Sequence, residues 1–317
     1  MSANAHAAPA SVRAALARTP SVRSRAEGAI RALLLAAAGV SVLTTAAIVV
    51  SLASETLAFF RHVPIADYLF GTKWTPLLAG EQQSFGVVPL LAGTLYLTAI
   101  GLAVAIPLGL LSAIYLSEYA SRRVRRVVKP VLELLAGVPT IVFGYFALTF
   151  FTPEVLRGVF GAPVQTYNML SAGIILGFLV LPTIASVAED ALSAVPAALR
   201  EGAFGLGASR LQVALRVVFP AALSGVVAAL ILGASRAVGE TVLILVASGQ
   251  TPQIAFEPYD GNQNMAAFIA ATSRGDIPTG SIEYETIFVV GFTLFVATLT
   301  LNALSIRLVR RFRQVYE

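Results

Sequence analysis

The chain has 317 residues, of which 57% are hydrophobic and only 12% are charged, and its mean hydropathy is +0.80. Soluble domains of this length are much less apolar, so the composition indicates an integral membrane protein. The chain has no cysteine, which excludes disulfides and thiolate metal sites, and His6 and His62 are isolated imidazoles. We therefore expect no metal site and no cofactor.

Six apolar runs are long enough to cross about 30 Å of hydrocarbon as helices. Gly137 and Pro139 interrupt the third run and Pro182 interrupts the fourth, which indicates either hinges of a moving pathway or ordinary helix bends. The sequence therefore predicts an all-α polytopic membrane protein with six transmembrane helices. The predicted spans are Ala32–Leu57, Gly86–Leu116, Val131–Phe151, Leu170–Ala188, Ala221–Ser248 and Tyr284–Ile306.

The distribution of basic residues predicts how the chain is oriented, because short loops rich in Lys and Arg stay in the cytoplasm. If both termini lie inside, the inner segments carry 17 of the 22 Lys and Arg residues and the outer segments carry four. The remaining one, Arg236, lies within a span. We therefore expect an N-in, C-in topology. The basic pI, near 9.7, reflects these positively charged inner loops, so we do not expect nucleic-acid binding. The expected layout is a cytoplasmic tail over 1–31, a transmembrane domain over 32–306 and a cytoplasmic tail over 307–317.

One segment of the cytoplasmic loop 189–220 has a distinctive spacing of acidic and small residues. It reads REGAFGLGASRLQVALRVVFP from Arg200 to Pro220, and we expect a short helix that ends at the glycines. The segment resembles the EAA loop of ABC importer permeases, with Gly202 in place of the usual alanine. That resemblance implies a docking element for a separate ATPase, and a plain connector between two spans is the alternative. The residues that it places at the contact are Glu201, Gly202, Ala203 and Gly207.

The chain itself does not have the residues to bind ATP through a P-loop. Such a loop needs a lysine that follows glycine and precedes serine or threonine. The two lysines are Lys73, followed by Trp74, and Lys129, followed by Pro130. We therefore expect a transport subunit that is not an enzyme, with ATP hydrolysis in a partner chain.

Two charged residues, Arg236 and Glu240, lie within the fifth predicted span. Burying an arginine in a membrane helix costs about 2.5–3.5 kcal/mol on insertion scales, so such residues usually face a water-filled interior. Being four residues apart on a continuous helix, the two side chains would share a face and could pair. They are either a structural ion pair or part of an anion pathway, and arginine suits an oxyanion because its planar fork donates two parallel hydrogen bonds.

Three further stretches carry a narrower resemblance. SRAVGET from Ser235 to Thr241, FGTKWTP from Phe70 to Pro76 and the long segment from Leu116 to Leu148 are similar to the PstC-type permeases of bacterial phosphate ABC importers. The resemblance implies a type I ABC importer permease fold in the bacterial inner membrane, with phosphate as the cargo. It also implies a second homologous permease subunit, two ATPase subunits and an extracytoplasmic phosphate-binding protein as partners.

With phosphate as the cargo, the Arg236 and Glu240 pair could select protonated phosphate over sulfate, because a carboxylate accepts a hydrogen bond from an oxygen that bears a proton. The outer loop from Gly249 to Glu283 is a candidate docking face for the binding protein, or an ordinary solvated loop. The residues singled out on that face are Asp260, Asn262, Gln263 and Arg274.

Other functions remain open from the sequence. Within ABC transport, the chain could serve another oxyanion importer or be the sister phosphate permease subunit. An ion-coupled secondary transporter is an alternative of a different class, although it would need proton or sodium ligands and no ATPase-docking loop. A sensor or scaffold in phosphate signalling is a third possibility.

Overall fold

The computed structural model describes residues 22–312, and most of these residues are helical. Within that range an isolated antiparallel bridge joins Trp74 to Phe85, and no strand forms, so the all-α prediction is confirmed. In chain order the helices are α1 (Val22–Phe59), α2 (Ile65–Phe70), α3 (Val88–Tyr119), α4 (Arg122–Ala136), α5 (Thr140–Val159), α6 (Met169–Ser193), α7 (Ala197–Gly205), α8 (Arg210–Ala221), α9 (Leu223–Val238), α10 (Val242–Ala247), α11 (Met265–Thr272) and α12 (Ile282–Phe312). Several are partly π-helical, including the last turn of α3 and most of α5.

The chain divides into two compact units at Leu52. The first unit contains most of α1, whose apolar side chains are largely exposed: Leu33 is 68% exposed and Leu43 is 70% exposed. A helix that is apolar all round is suited to lipid, because hydrocarbon solvates its side chains and its backbone groups are bonded internally.

Four helical segments are long and apolar enough to cross a membrane, and up to six spans result if each of two bent helix pairs counts as one. The four are Glu27–Phe59, Val88–Tyr119, Met169–Ser193 and Ile282–Leu304, which match the first, second, fourth and sixth predicted spans. The third and fifth predicted spans fall on the bent pairs, so neither is the single straight helix that the sequence suggested.

The third predicted span, Val131–Phe151, is broken where the sequence contains Gly137 and Pro139. Helices α4 and α5 meet there at 88°. Proline has no amide to donate and restricts the residue before it to extended backbone, which ends α4 and starts α5 in a new direction. Residues 131–136 therefore belong to α4, and the rest of the predicted span lies in α5 after the break.

The fifth predicted span, Ala221–Ser248, is also interrupted. Helix α8 meets α9 at 75°, and α9 ends at Val238 with Gly239 as its C-terminal cap. A separate short helix, α10, begins at Val242. The expectation of one helix through Arg236 and Glu240 was therefore wrong.

Helix α6 lies at the centre of the second unit and packs closely on α3 and α9. A Cβ on Gly173 would approach Ile100 Cγ2 to 2.6 Å, and one on Gly177 would approach the Gly101 carbonyl oxygen to 2.7 Å. Without water to drive association, membrane helices gain stability from such close contact between small residues. Since α7 follows α6 after three residues, the cytoplasmic segment is attached directly to this core.

Candidate functional site

The cytoplasmic segment contains the short helix that its sequence predicts. Helix α7 ends at Gly205, and Gly207 adopts a φ of +82°, in the left-handed region that a side chain disfavours. The amide of Gly207 donates to the carbonyl of Phe204 at 2.9 Å, which satisfies one of the last carbonyls of the helix. The turn itself therefore requires glycine at position 207. The loop prediction of 189–220 began too early, because α6 continues through Ser193.

The residues expected to contact an ATPase are accessible. Glu201, Gly202 and Gly207 are exposed, and Ala203 is half-buried. A Cβ on Gly202 would meet no atom within 4 Å, so no contact within the described chain requires glycine there. The surface around this position has room for a partner.

Exposed apolar side chains accompany these residues, a feature that sequence reasoning missed. Leu206 is 91% exposed, Leu211 is 58% exposed and Phe204 is 46% exposed. Contiguous exposed apolar side chains usually mark an interaction surface. The sequence pattern that could have predicted this exposure is the alternation of Phe204 and Leu206 with glycines. So short and glycine-rich a segment cannot bury two large apolar side chains.

Arg200, the residue before Glu201, ties α7 to two long helices. Its Nη2 donates to Glu118 Oε1 at 3.0 Å and to the Leu192 carbonyl at 2.7 Å, while its Nη1 donates to the Val195 carbonyl. Glu118 lies in the last turn of α3, and Leu192 lies near the end of α6. The arginine is 19% exposed and the glutamate 6%, so both charges are largely desolvated. Arg200 thus connects α7 to both α3 and α6.

A second charge cluster joins α4 to α6. Glu189, with no exposed side-chain surface, forms ion pairs with Arg125 and with Lys129, whose Nζ lies 2.7 Å from Glu189 Oε2. Lys129 also pairs with Asp190, and the Ser193 hydroxyl donates to Glu189 Oε1 at 2.9 Å. A buried carboxylate needs such partners because desolvation of an unpaired charge is costly. Sequence reasoning missed this cluster because it treated Glu189 as the first residue of a solvated loop.

Arg236 lies in the last turn of α9 and is half-buried. Its Nη1 donates to the Thr183 hydroxyl on α6 at 2.8 Å. Within the described range, no other protein acceptor lies within hydrogen-bonding distance of its guanidinium. Most of its five N–H donors are therefore available to an anion.

Glu240 does not pair with Arg236 in the part of the chain that the structure describes. It lies beyond the end of α9, is 8% exposed, and its Oε1 accepts a hydrogen bond from the Leu243 amide at 3.1 Å. The carboxylate thus caps the first turn of α10, where it satisfies a free amide and favours the positive end of the helix dipole. Pairing of the two side chains, which the spacing of four residues suggested, was wrong because the helix ends at Val238.

The outer loop after Gly249 is folded onto the core rather than fully solvated. The Asn262 side chain bonds both the amide and the carbonyl of Gln253, and the Tyr96 hydroxyl donates to the Ile254 carbonyl at 2.7 Å. Asn262 is fully buried and Gln263 is 7% exposed, so the expectation that these two residues lie on a docking face was wrong.

The accessible part of the outer loop includes residues 254–257 and 273–276. There the pKa of Glu257 is raised by a hydrogen bond with Asp260 and by repulsion between the two charges. The outer surface of this loop therefore carries a pair of neighbouring carboxyl groups.

Similar proteins agree with this architecture. The family described as "Binding-protein-dependent transport system inner membrane component" matches residues 105–314. The chain is 31% identical to the "Probable ABC transporter permease protein YqgH" of Bacillus subtilis, over 84% of this chain and 85% of that protein. It is 33% identical to the "Phosphate transport system permease protein PstC 1" of Mycobacterium tuberculosis, over 72% of this chain and 73% of that protein.

Solved structures share the fold at lower sequence identity. A chain of a bacterial alginate ABC transporter superposes with a TM-score of 0.65 at 16% identity, covering 92% of this chain and 98% of that one. A chain of the MetNI methionine ABC transporter superposes with a TM-score of 0.53 at 21% identity, covering 72% of this chain and 95% of that one. The type I ABC importer permease fold is thus confirmed. The family match spans more than half of the sequence, and the chain belongs to the binding-protein-dependent transport system inner membrane component family, as a multi-pass protein of the bacterial inner membrane.

Proposed function

We propose that this chain is the transmembrane permease subunit of an ATP-driven phosphate importer and forms half of its translocation pathway. The observation that carries the proposal is Arg236, an arginine in a membrane helix with most of its donors free. Relatives whose names include phosphate transport support the choice of cargo.

The docking element is α7 with the turn that follows it. Glu201, Gly202, Ala203 and Gly207 contact a separate ATPase, and the exposed side chains of this segment complete the contact. Because the sequence has no P-loop lysine, this chain hydrolyses no ATP itself. Closure of the ATPases upon ATP binding moves α7, and Arg200 transmits that motion to α3 and α6.

The anion passes Arg236, about 20 Å along α9 from its start at Leu223. Thr183 orients the guanidinium, and the remaining donors form charge-assisted hydrogen bonds to phosphate oxygens. Glu240 lines the same pathway. Its Oε1 accepts the hydrogen bond that holds the start of α10, and its Oε2, which has no donor among the described residues, accepts a hydrogen bond from the protonated oxygen of hydrogen phosphate.

The working assembly pairs this chain with a second homologous permease subunit, two ATPase subunits and an extracytoplasmic phosphate-binding protein. Both termini face the cytoplasm, and residues 32–306 form the transmembrane domain. Of the two proposed tails, 1–31 and 307–317, residues 1–21 and 313–317 lie outside the part of the chain that the structure describes. The binding protein contacts the exposed outer loop around 254–257 and 273–276, where Arg274 lies.

Phosphate uptake into proteoliposomes that contain this chain with its partners tests the proposal. Arg236→Gln should assemble but lose transport, whereas Arg307→Gln, which removes the same charge from an exposed position, should transport normally. Glu201→Ala should weaken the coupling of ATPase activity to transport, with Glu81→Ala in an exposed outer segment as its control. Wild-type transport by both Arg236→Gln and Glu201→Ala would refute these roles.

A permease for a different oxyanion is the second candidate, because the arginine fork recognises tetrahedral oxyanions in general. Sulfate uptake by the unaltered assembly separates the two, and sulfate uptake by Glu240→Gln tests the selectivity role of Glu240. The amide retains the oxygen that caps α10 but loses the negative charge, so this variant should admit sulfate. Unchanged phosphate transport with sulfate still excluded would remove the selectivity role of Glu240.

A further inference from the structure

Helix α4 has two opposite faces of very different chemistry. One face carries Arg122, Arg126, Lys129 and Glu133, with Arg123 and Arg125 at its edges. The other face is a stripe of aliphatic side chains at helical spacing. No part of the described chain buries this stripe. The stripe consists of Val124 (37% exposed), Val127 (63%), Val131 (48%), Leu134 (73%) and Leu135 (44%).

The angle between α4 and α5 determines where α4 lies relative to the membrane. Helix α5, Thr140–Val159, has 20 residues and is the apolar member of the bent pair, which meets the length and composition of a membrane span together with α4. Since α4 meets it at 88°, α4 runs nearly parallel to the membrane plane when α5 crosses it. The charge distribution of the loops places this end of α5 on the cytoplasmic side.

The basic residues of α4 fall into two groups. Arg125 and Lys129 pair with Glu189 and Asp190 and so anchor α4 to α6. Arg122, Arg123 and Arg126 have no acidic partner within ion-pair distance among residues 27–304.

An open cavity of about 440 Å³ is lined by Arg122, Arg126 and the two anchoring residues, with Pro130 and Glu133 at its far end. The unpaired guanidinium groups give this cavity an excess of positive charge, and Glu133 is the single acidic side chain in its lining.

We propose that α4 is an interfacial helix that binds the headgroups of anionic phospholipids in the cytoplasmic leaflet. Its aliphatic stripe enters the boundary between headgroups and acyl chains, and its free arginines donate hydrogen bonds to lipid phosphodiesters. A helix with strongly separated basic and apolar faces and low overall hydrophobicity is suited to this position. The inference concerns a ligand other than the transported anion.

The lipid occupant is favoured over a protein partner by two observations. The stripe has five aliphatic side chains and no polar one, whereas a protein interface usually has polar groups at its rim. The free charges beside it are all positive, which complements the negative surface potential of a cytoplasmic leaflet. A second permease subunit seated on the stripe is the competing outcome of the test.

Lipid binding can be measured directly on the assembled complex in nanodiscs, by the retention of spin-labelled phosphatidylglycerol relative to phosphatidylcholine. The triple variant R122Q/R123Q/R126Q should lose preference for phosphatidylglycerol by about a hundredfold, at about fivefold per arginine. The control R61Q/R216Q/R307Q removes three exposed arginines elsewhere and should keep the preference. Equal retention of both lipids by the unaltered complex would overturn the proposal.

The absence of cysteine allows a second measurement with single nitroxide labels. A label at V131C should be accessible to oxygen, which partitions into acyl chains, and a label at R122C should be accessible to a water-soluble nickel chelate. A V131C label that neither reagent reaches in the assembled complex would mean that protein covers the stripe, which also overturns the proposal. Both measurements are made without transport, so they are independent of the proposed cargo.

Discussion

Replacing Arg200 with alanine should loosen α7, the proposed ATPase-docking helix, without removing any of the exposed residues proposed for the contact. The arginine holds Glu118 on α3 and the carbonyls of Leu192 and Val195 at the end of α6. Alanine leaves all three acceptors without this donor. Helix α7 then keeps only its apolar packing through half-buried residues such as Leu199 and Ala203.

The largest part of the cost comes from Glu118, which is 6% exposed. Removing one partner of a buried ion pair costs about 3–5 kcal/mol, because it leaves an uncompensated charge. We expect a cost at the lower end of this range, about 3 kcal/mol, because Arg200 is 19% exposed and the Ser117 hydroxyl still donates to Glu118 Oε1 at 2.9 Å. A loss of about 3 kcal/mol in the free energy of local opening corresponds to roughly a hundredfold change in the opening equilibrium.

Hydrogen exchange of the α7 amides in the assembled complex measures this opening. Arg200→Ala should raise their exchange rate about a hundredfold, and Arg216→Ala, at an exposed position on α8, should leave it unchanged. Adding Glu118→Gln to Arg200→Ala should restore part of the protection, because the unpaired charge is gone. Unchanged exchange in Arg200→Ala, or no recovery in the double variant, would refute the assignment of Arg200 as the link between helices.

Three further substitutions test other features. Gly207→Ala should destabilise the turn by about 1–2 kcal/mol because its φ is +82°, seen as lower thermal stability. Gly202→Ala places there the residue usual in the EAA loop and meets no atom within 4 Å, so it should leave both thermal stability and ATPase retention unchanged. Glu189→Gln should destabilise the purified chain by about 1 kcal/mol, because it removes the charge attraction to Arg125 and Lys129, which are partly exposed, and full thermal stability would contradict that. Gly177→Ala should cost about 1–3 kcal/mol from overpacking against α3, with Gly205→Ala, which has open space, as the control.

Local features of the sequence were enough to predict several parts of the structure. Apolar runs identified the membrane segments, since crossing the hydrocarbon requires about 20 apolar residues regardless of tertiary contacts. Helix α7 and its end at the glycines followed from spacing, because Gly207 acts within one turn. The break at Gly137 and Pro139 was also visible, although its 88° angle was not.

The sequence by itself determined that this is an α-helical membrane protein with a short helix that ends at glycines between the fourth and fifth predicted spans, because composition and local spacing decide those properties. Only the tertiary structure decided which charges meet. Arg200 and Glu118 are 82 residues apart along the chain, and Arg236 and Thr183 are 53 apart. The sequence spacing of Arg236 and Glu240 suggested a pair, yet Glu240 caps α10 instead. Pairings of this kind depend on where helices end and cross, and those positions follow from packing of the whole core around α6.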